Sequence, residues 1–440
     1  MLIYCKQTTP RIEYIFRFLL TEMSGISLDF TSDFDYFNAC DGAKINYSSQ
    51  ASKTAYSIHP VGLLFESTIE KQQIQVFEHN GVKAFFETDK SAEIPFDLFA
   101  ASFYLISRYE EYLPFRADNH QRFPATESLA FKNNFLTQPV VNIWLENLKK
   151  VLLRHFPDLQ IRTSAYQFIS SIDVDNGYAY MGKSWWKTFG AFSKHFLKFD
   201  FKKIRERTLV LCGFKKDPFD EYNFQHALQL KYKFSSLYFL LCGKSSKNDH
   251  NILPQGKAFN KLVNKLAGFA EIGIHPSYTS NKYPERVKNE KQVLEKISNK
   301  KITRSRQHFL KLKLPNTYSV LINSGIQEDY TMGYASHPGF RAGICTAFNF
   351  YNLEREQRTE LKVFPFAIMD VTFSDYMNLN ASEAINLIIP IVEEIKKVNG
   401  LFISVWHDRN FENKNKIKGW NEVYEEMVTV ARSNQCCHSE

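Results

Sequence analysis

The stretch Ser170-Ser171-Ile172-Asp173-Val174-Asp175-Asn176 sets two carboxylates two residues apart at the end of an apolar run. On a strand, alternate side chains share a face, so Asp173 and Asp175 point one way while Ile172 and Val174 enter the opposite layer. Such a pair can hold a metal ion, activate water, grip a nucleotide sugar, or merely end a strand. Further along, AEIGIHPSY carries Glu271, Gly273 and His275 on one face, with Pro276 closing the strand. A neutral imidazole at a strand end suits a divalent cation, although a lone histidine is more often an ordinary hydrogen-bonded one. TRSRQHF repeats the pattern with Arg306 and His308. An arginine there can fix a carboxylate bidentately and keep it ionised, or form an ion pair with no catalytic work. SVWHDRNF places His407 and Asp408 after an apolar strand. That imidazole could give or take a proton near neutral pH, or belong to a surface His-Asp pair.

Two other stretches invite a functional reading. EDYTMGYASHPGFRAG opens on Asp329, and Gly333, Gly339 and Gly343 bracket His337 and Arg341. Glycine at this density implies a special backbone conformation, near a ligand or in a tight turn. It is neither GxGxxG nor a Walker loop, so it does not imply nucleotide phosphate binding. Trp185 and Trp186 could offer a flat stacking platform to a sugar ring, but buried helix packing is the expected role. His59 reads as structural, and Cys436, Cys437 and His438 as a frayed terminus.

Elements must bring these residues together. From about residue 165 the chain alternates short apolar strands with helices. The strands are YQFISSIDVD, SSLYFLLCG, AEIGIHPS, KITRSRQHF, DYTMGYA, VFPFAIMD and GLFISVWHD, with helices over 284–298, 381–398 and 420–433. Alternation of this kind calls for parallel strands with crossover helices, in an open sheet or a barrel. The polar residues sit at strand C-termini, the edge where parallel α/β folds build sites. Residues 1–160 read as a smaller mixed α/β domain. RIEYIFRFLLTEM, FDLFAASFYLISRYEEYL and VVNIWLENLKKVLLRHF have helical spacing, the last stopped by Pro157, and QQIQVFEHNGVKAFFET reads as strands turning at Asn80-Gly81. A lid or docking role is expected for this domain.

The chain is 440 residues long, 44% hydrophobic and 15% aromatic, ample for two folded cores. The formal charge of +8 shows no block of five or six like charges, so a solvated basic surface is expected and no nucleic-acid partner. Seven cysteines without a CxxC pair argue for a reducing compartment rather than a disulfide framework. No signal peptide and no membrane-spanning run is legible, and the chain reads as cytoplasmic.

The strand ends, in this order, resemble the polysaccharide deacetylase (NodB-homology) family. SFYLISRYEEYLPF, SRQHFL and DYTMGYASHPGFRAG are similar to a Bacteroidetes group in which such a domain follows an uncharacterised N-terminal one. The resemblance implies a distorted parallel (β/α) barrel of about seven strands over 165–435. It implies a metal-dependent hydrolase that removes an acetyl group from an N-acetylated sugar or cell-surface polysaccharide intermediate. Asp173 matches the family's general base, Asp175 and His275 its metal ligands, Arg306 the residue that orients the base, and His407 the general acid. Asp329 is the candidate for the fourth-motif aspartate. The family's second metal-binding histidine falls at Thr279, four residues after His275, and His308 is the expected substitute. A divalent ion of the zinc type is implied, with a carbohydrate as substrate. Two other classes compete: a non-catalytic barrel that binds a glycan or protein, suggested by Thr279, and a glycosyltransferase using Asp-Val-Asp.

Overall fold

The computed structural model of the chain describes residues 1–411 and 419–433, so the Cys436, Cys437 and His438 cluster lies outside the described residues. The N-terminal region opens with a four-stranded parallel sheet. Strand β1 (Leu2–Tyr4) lies between β2 (Asp29–Thr31) and β3 (Lys44–Asn46), with β4 (Tyr56–Ser57) outside β3. Strands β5 (Phe77–His79) and β6 (Val82–Ala84) form the expected hairpin. Its turn residues Asn80 and Gly81 both have positive φ (52° and 75°), the combination a tight primed turn requires. The helix Val140–His155 buries Val141, Trp144, Leu145, Leu148 and Leu152 at three- and four-residue spacing, and it ends before Pro157. The helix expected over FDLFAASFYLISRYEEYL is shorter: it covers Leu98–Ile106, and Arg108 turns left-handed at φ 56° into a single 3-10 turn, Tyr109–Tyr112.

A nine-stranded sheet follows. Its strands are β7 (Gln167–Val174), β8 (Ser235–Leu240), β9 (Glu271–Ile274), β10 (Arg304–Ser305), β11 (Glu328–Asp329), β12 (Phe348–Asn352), β13 (Gln357–Val363), β14 (Ile368–Met369) and β15 (Leu401–His407). They are ordered β12-β13-β11-β10-β9-β8-β7-β15-β14, parallel throughout except for the β12–β13 hairpin. The run from β13 to β14 is continuous: β13 pairs with β11, the Phe366 N–H donates to the Met332 carbonyl at 3.1 Å, and β14 pairs with β15. The strands read in KITRSRQHF and DYTMGYA shrink to two residues each. Beyond Asp329 the ladder gives way to local side-chain bonds, with the Thr331 N–H and hydroxyl both donating to the Asp329 carboxylate.

Alternation along the central strands divides two apolar layers. Ile172, Val174, Phe402 and Trp406 join the core beneath the helices, while Ile403, Val405, Leu237 and Phe239 join a second cluster on the opposite face. The helix Ala381–Lys397, started by a reciprocal Asn380/Glu383 cap, buries Ile385, Ile388, Ile391, Val392 and Ile395 over the first layer. Asp173 belongs to the face of the second layer, at the C-terminal edge.

Candidate metal and acid-base site

Register fixes the first pair. Asp173 lies opposite His407 of β15 and Phe239 of β8, so a carboxylate and an imidazole meet at one edge. Arg306, fully buried, reaches across from the end of β10. Its Nη1 donates to Asp173 Oδ1 at 2.8 Å, Nη2 to Ser171 Oγ at 2.7 Å and Nε to the Tyr330 carbonyl at 3.0 Å. The guanidinium lies 4.5 Å from the centre of the Phe239 ring. That ring has room because residue 273 is glycine: a Cβ there would stand 2.7 Å from it. Burying an arginine is tolerable only when its donors are all met, and here they hold Asp173 in place.

His407 is held from the other side. Its ring Nδ1 lies 2.7 Å from Asp370 Oδ1, and its backbone N–H donates to Asp370 Oδ2 at 2.7 Å. Asn410 Nδ2 and the Val371 N–H complete the shell of this buried carboxylate. Nε2 of His407 is thereby left facing Asp173 Oδ2 at 4.0 Å. Burial opposes charge on the imidazole, but Asp370, Asp175 and Asp173 together outweigh it and push its pKa up to about 10.

Asp175, His275 and His308 form the second group, each offering one ligand atom within 4.8 Å of the others. The Nδ1 of His275 lies 2.6 Å from the Arg306 carbonyl, which can only accept, so Nδ1 carries the proton and Nε2 a lone pair. The Nδ1 of His308 lies 2.9 Å from Asp249 Oδ1, which sets the same orientation. The two Nε2 atoms stand 3.3 and 3.6 Å from Asp175 Oδ1, an oxygen that is buried with no hydrogen-bond partner. Burial raises the Asp175 pKa, but the three surrounding imidazoles prevail and hold its carboxyl well below the usual range. Burial likewise works against charge on His308, yet Asp175 and Asp249 push it up to about 9. An orphaned carboxylate oxygen facing two imidazole nitrogens whose other nitrogens are committed fits a divalent cation.

Both groups open on one cavity of about 360 Å³, lined also by Asn176, His250, Arg122, Tyr376 and Arg409. Asp173, Asp175, His275, Arg306, His308 and His407 thus come together. Asp329 does not join them: it is buried, accepts from Ser305 and Thr331, and is absent from the cavity wall. Thr279 is also elsewhere, its hydroxyl accepting from Arg286 at 2.7 Å. Asp408, expected beside His407, caps the loop after β7 by accepting from the Asn176 and Gly177 N–H groups. Two residues went unread in the sequence, Asp249 and Asp370, although VFPFAIMD ends on Asp370. The Gly-rich stretch is mainly a buried brace, with Arg341 donating to both oxygens of Glu111 at 2.8 and 2.6 Å, and it reaches the cavity wall through Ala335. Trp185 and Trp186 are not packed in a buried helix: they are 64% and 67% exposed.

Residues 1–157 match a family of unknown function (DUF7033). No curated protein matches the chain. Structural neighbours are polysaccharide deacetylases. One is a candidate polysaccharide deacetylase from Mycobacterium smegmatis, 11% identical over 62% of this chain and 89% of that one, with a TM-score of 0.41. A polysaccharide deacetylase from Bacillus cereus is 10% identical over 62% and 86%, with a TM-score of 0.28. A mutant of a CE4 family pseudoenzyme with restored enzymatic activity is 11% identical over 65% and 77%, at 0.27. Scores this low leave the reading of the site to its own geometry.

Proposed function

We propose that this chain is a metal-dependent hydrolase that removes the acetyl group from an N-acetylated sugar, built on a distorted parallel barrel in which β7 to β11, the β13–β14 run and β15 are the staves. The observation that carries the reading is the juxtaposition of an arginine-held Asp173 and an Asp370-held His407 beside the Asp175, His275 and His308 cluster.

Asp175, His275 and His308 would hold the ion, which when bound supplies Lewis acidity toward water and a carbonyl oxygen. Asp173, held and aimed by Arg306, accepts the proton of the water that attacks the acetamide carbon. His407 gives its proton to the sugar nitrogen as the C–N bond breaks, so acetate and a free amine leave. Asp370 keeps the His407 ring turned so that Nε2 meets that nitrogen. Asp370 takes the fourth-motif role for which the sequence offered Asp329. The cavity of about 360 Å³, lined mostly by charged and polar side chains, is suited to one sugar ring, and no phosphate-cradling loop adjoins it among the described residues.

The test is acetate release from N-acetylglucosamine oligomers by zinc-loaded protein. Release that stops on chelation and in Asp173→Asn is expected. Sugar binding by calorimetry with no acetate from the wild type would instead favour a non-catalytic glycan-binding cleft.

A further inference from the structure

The two helices that follow the Asp173–Asp175 strand, Trp185–Leu197 and Phe201–Leu211, carry a face that nothing among the described residues covers. No residue of Trp185–Leu197 is buried, and nine of the seventeen exposed large hydrophobic side chains among the described residues fall between positions 185 and 214. Trp185, Trp186, Phe189 and Phe196 are 64%, 67%, 65% and 62% exposed, and Phe199 and Phe214 reach 79% and 82%. At about 100° per residue, positions 185, 186, 189, 196 and 197 fall within an arc of about 120°, one side of the helix. A solvated helix does not concentrate tryptophan and phenylalanine in this way.

The same segment is strongly basic. Residues 183–216 hold ten Lys or Arg against two Asp or Glu, a net +8 equal to the formal charge of the whole chain. The charge that looked dispersed along the sequence is gathered on one feature. Lys187, Lys194, Lys198, Lys202, Lys203 and Arg205 are all exposed.

We propose that this helical pair docks on an anionic phospholipid surface, with the aromatic face in the headgroup boundary and the basic side chains against lipid phosphates. Exposed Trp and Phe on one face with Lys and Arg around them is the pattern of a helix that lies in a membrane interface. No helix among the described residues is long and apolar enough to cross a membrane, so the contact is peripheral. A second copy of the chain is a poorer occupant, because two such faces would oppose like charge. The position also fits. Lys183 donates to Asn176, a cavity residue, at 2.7 Å, and Lys187 to Ser245 in the loop after β8 at 2.6 Å, so the pair adjoins the strand edge that carries the site. Resting on the deacetylase reading, the substrate is then an N-acetylated glycan anchored in that membrane.

Flotation of the full chain with phosphatidylcholine vesicles, with and without phosphatidylglycerol, tests the docking without reference to activity. Binding to the anionic vesicles only, lost in high salt, is expected. Trp185→Ser/Trp186→Ser/Phe189→Ser and Lys202→Glu/Lys203→Glu/Arg205→Glu should each weaken it roughly tenfold or more, with circular dichroism unchanged because the sites are exposed. Failure of the wild type to float with anionic vesicles, or binding indifferent to both variants, would overturn the proposal. So would a lipid-free dimer that the tryptophan variant dissolves, which would assign the face to a second copy. A final arm compares acetate release from an N-acetylglucosaminyl lipid in anionic vesicles with release from soluble oligomers. Loss of only the first in the tryptophan variant supports the anchored substrate. Acetate from neither substrate, with vesicle binding intact, sinks the deacetylase reading and leaves the docking standing.

Discussion

Asp249 and Asp370 do for two imidazoles what Arg306 does for Asp173: each fixes a ring or carboxylate that must face the cavity in one orientation. Asp249 touches only His308 within the proposed ligand set, at 2.9 Å, so its effect should read out through metal affinity. Asp249→Asn should weaken zinc binding by about 10–100-fold, measured by competition with a chelating dye, while His308→Ala should lose more. Asp370→Asn acts on the other group. An amide can present the wrong partner to Nδ1 and no longer supports a charged ring, so kcat should fall by about 10²–10⁴ with zinc affinity unchanged. Six of the site's residues were legible because each stands at or just past the end of an apolar strand, where alternation tells which way it points. Asp249 was not, because it lies in a loop nine residues past β8 and is brought to His308 only by tertiary folding. Asp329 misled for a related reason: it too ends a strand, but the next turn folds its own hydroxyl and N–H groups back onto the carboxylate.

Elements were most legible where period and caps agree, as in Val140–His155 and Ala381–Lys397, and least where charge overrides period. The helix Leu98–Ile106 shows both. Its last turn gives way at Arg108, whose guanidinium bonds Glu110 and Glu111 at 2.8 Å each, while Glu111 also receives Arg341 from over two hundred residues away. No local pattern announces that pairing. At the other end Asp97 caps the helix through the Ala100 N–H, and also accepts from the Tyr47 hydroxyl and the Val61 N–H. Burial raises its pKa to about 6 against these favourable bonds. A carboxyl raised in the folded state binds more protons there than in the unfolded chain, so its contribution to stability is complete below about pH 4 and is lost as pH rises through about 6. The loss amounts to about 3 kcal/mol. Urea unfolding of wild type and Asp97→Asn at intervals from pH 4 to 7 should therefore show their difference shrinking or reversing as pH rises. A constant difference would mean that Asp97 does not titrate in that window.

At the scale of the molecule, the N-terminal region is fastened to the sheet by an ion pair, hydrogen bonds and shared apolar packing. Arg11 pairs with Glu356 of the β12–β13 hairpin at 2.6 Å, and the Tyr14 hydroxyl donates to the Asn349 carbonyl at 2.7 Å. The Val141 N–H donates to the Gly343 carbonyl at 3.0 Å, and one continuous apolar cluster runs through both regions. The fastening reaches the site itself. Arg122, a cavity residue from the N-terminal region, donates through Nη1 to the Phe309 carbonyl at 2.6 Å. Phe309 and Leu310 follow the proposed ligand His308 with φ of 60° and 51°, a left-handed pair that costs of order 1–3 kcal/mol per residue and needs outside support. The proposed division near residue 160 therefore separates two regions that should unfold together. Differential scanning calorimetry of the full chain should give one transition, and a fragment lacking residues 1–157 should expose the hairpin's aromatic face and bind a hydrophobic dye. Arg122→Ala keeps both regions but removes the clamp, so it should weaken zinc binding without splitting the transition. Two separate transitions, or a fragment that folds and binds zinc as tightly as the full chain, would show that the sheet holds Phe309 and His308 in place without its N-terminal partner.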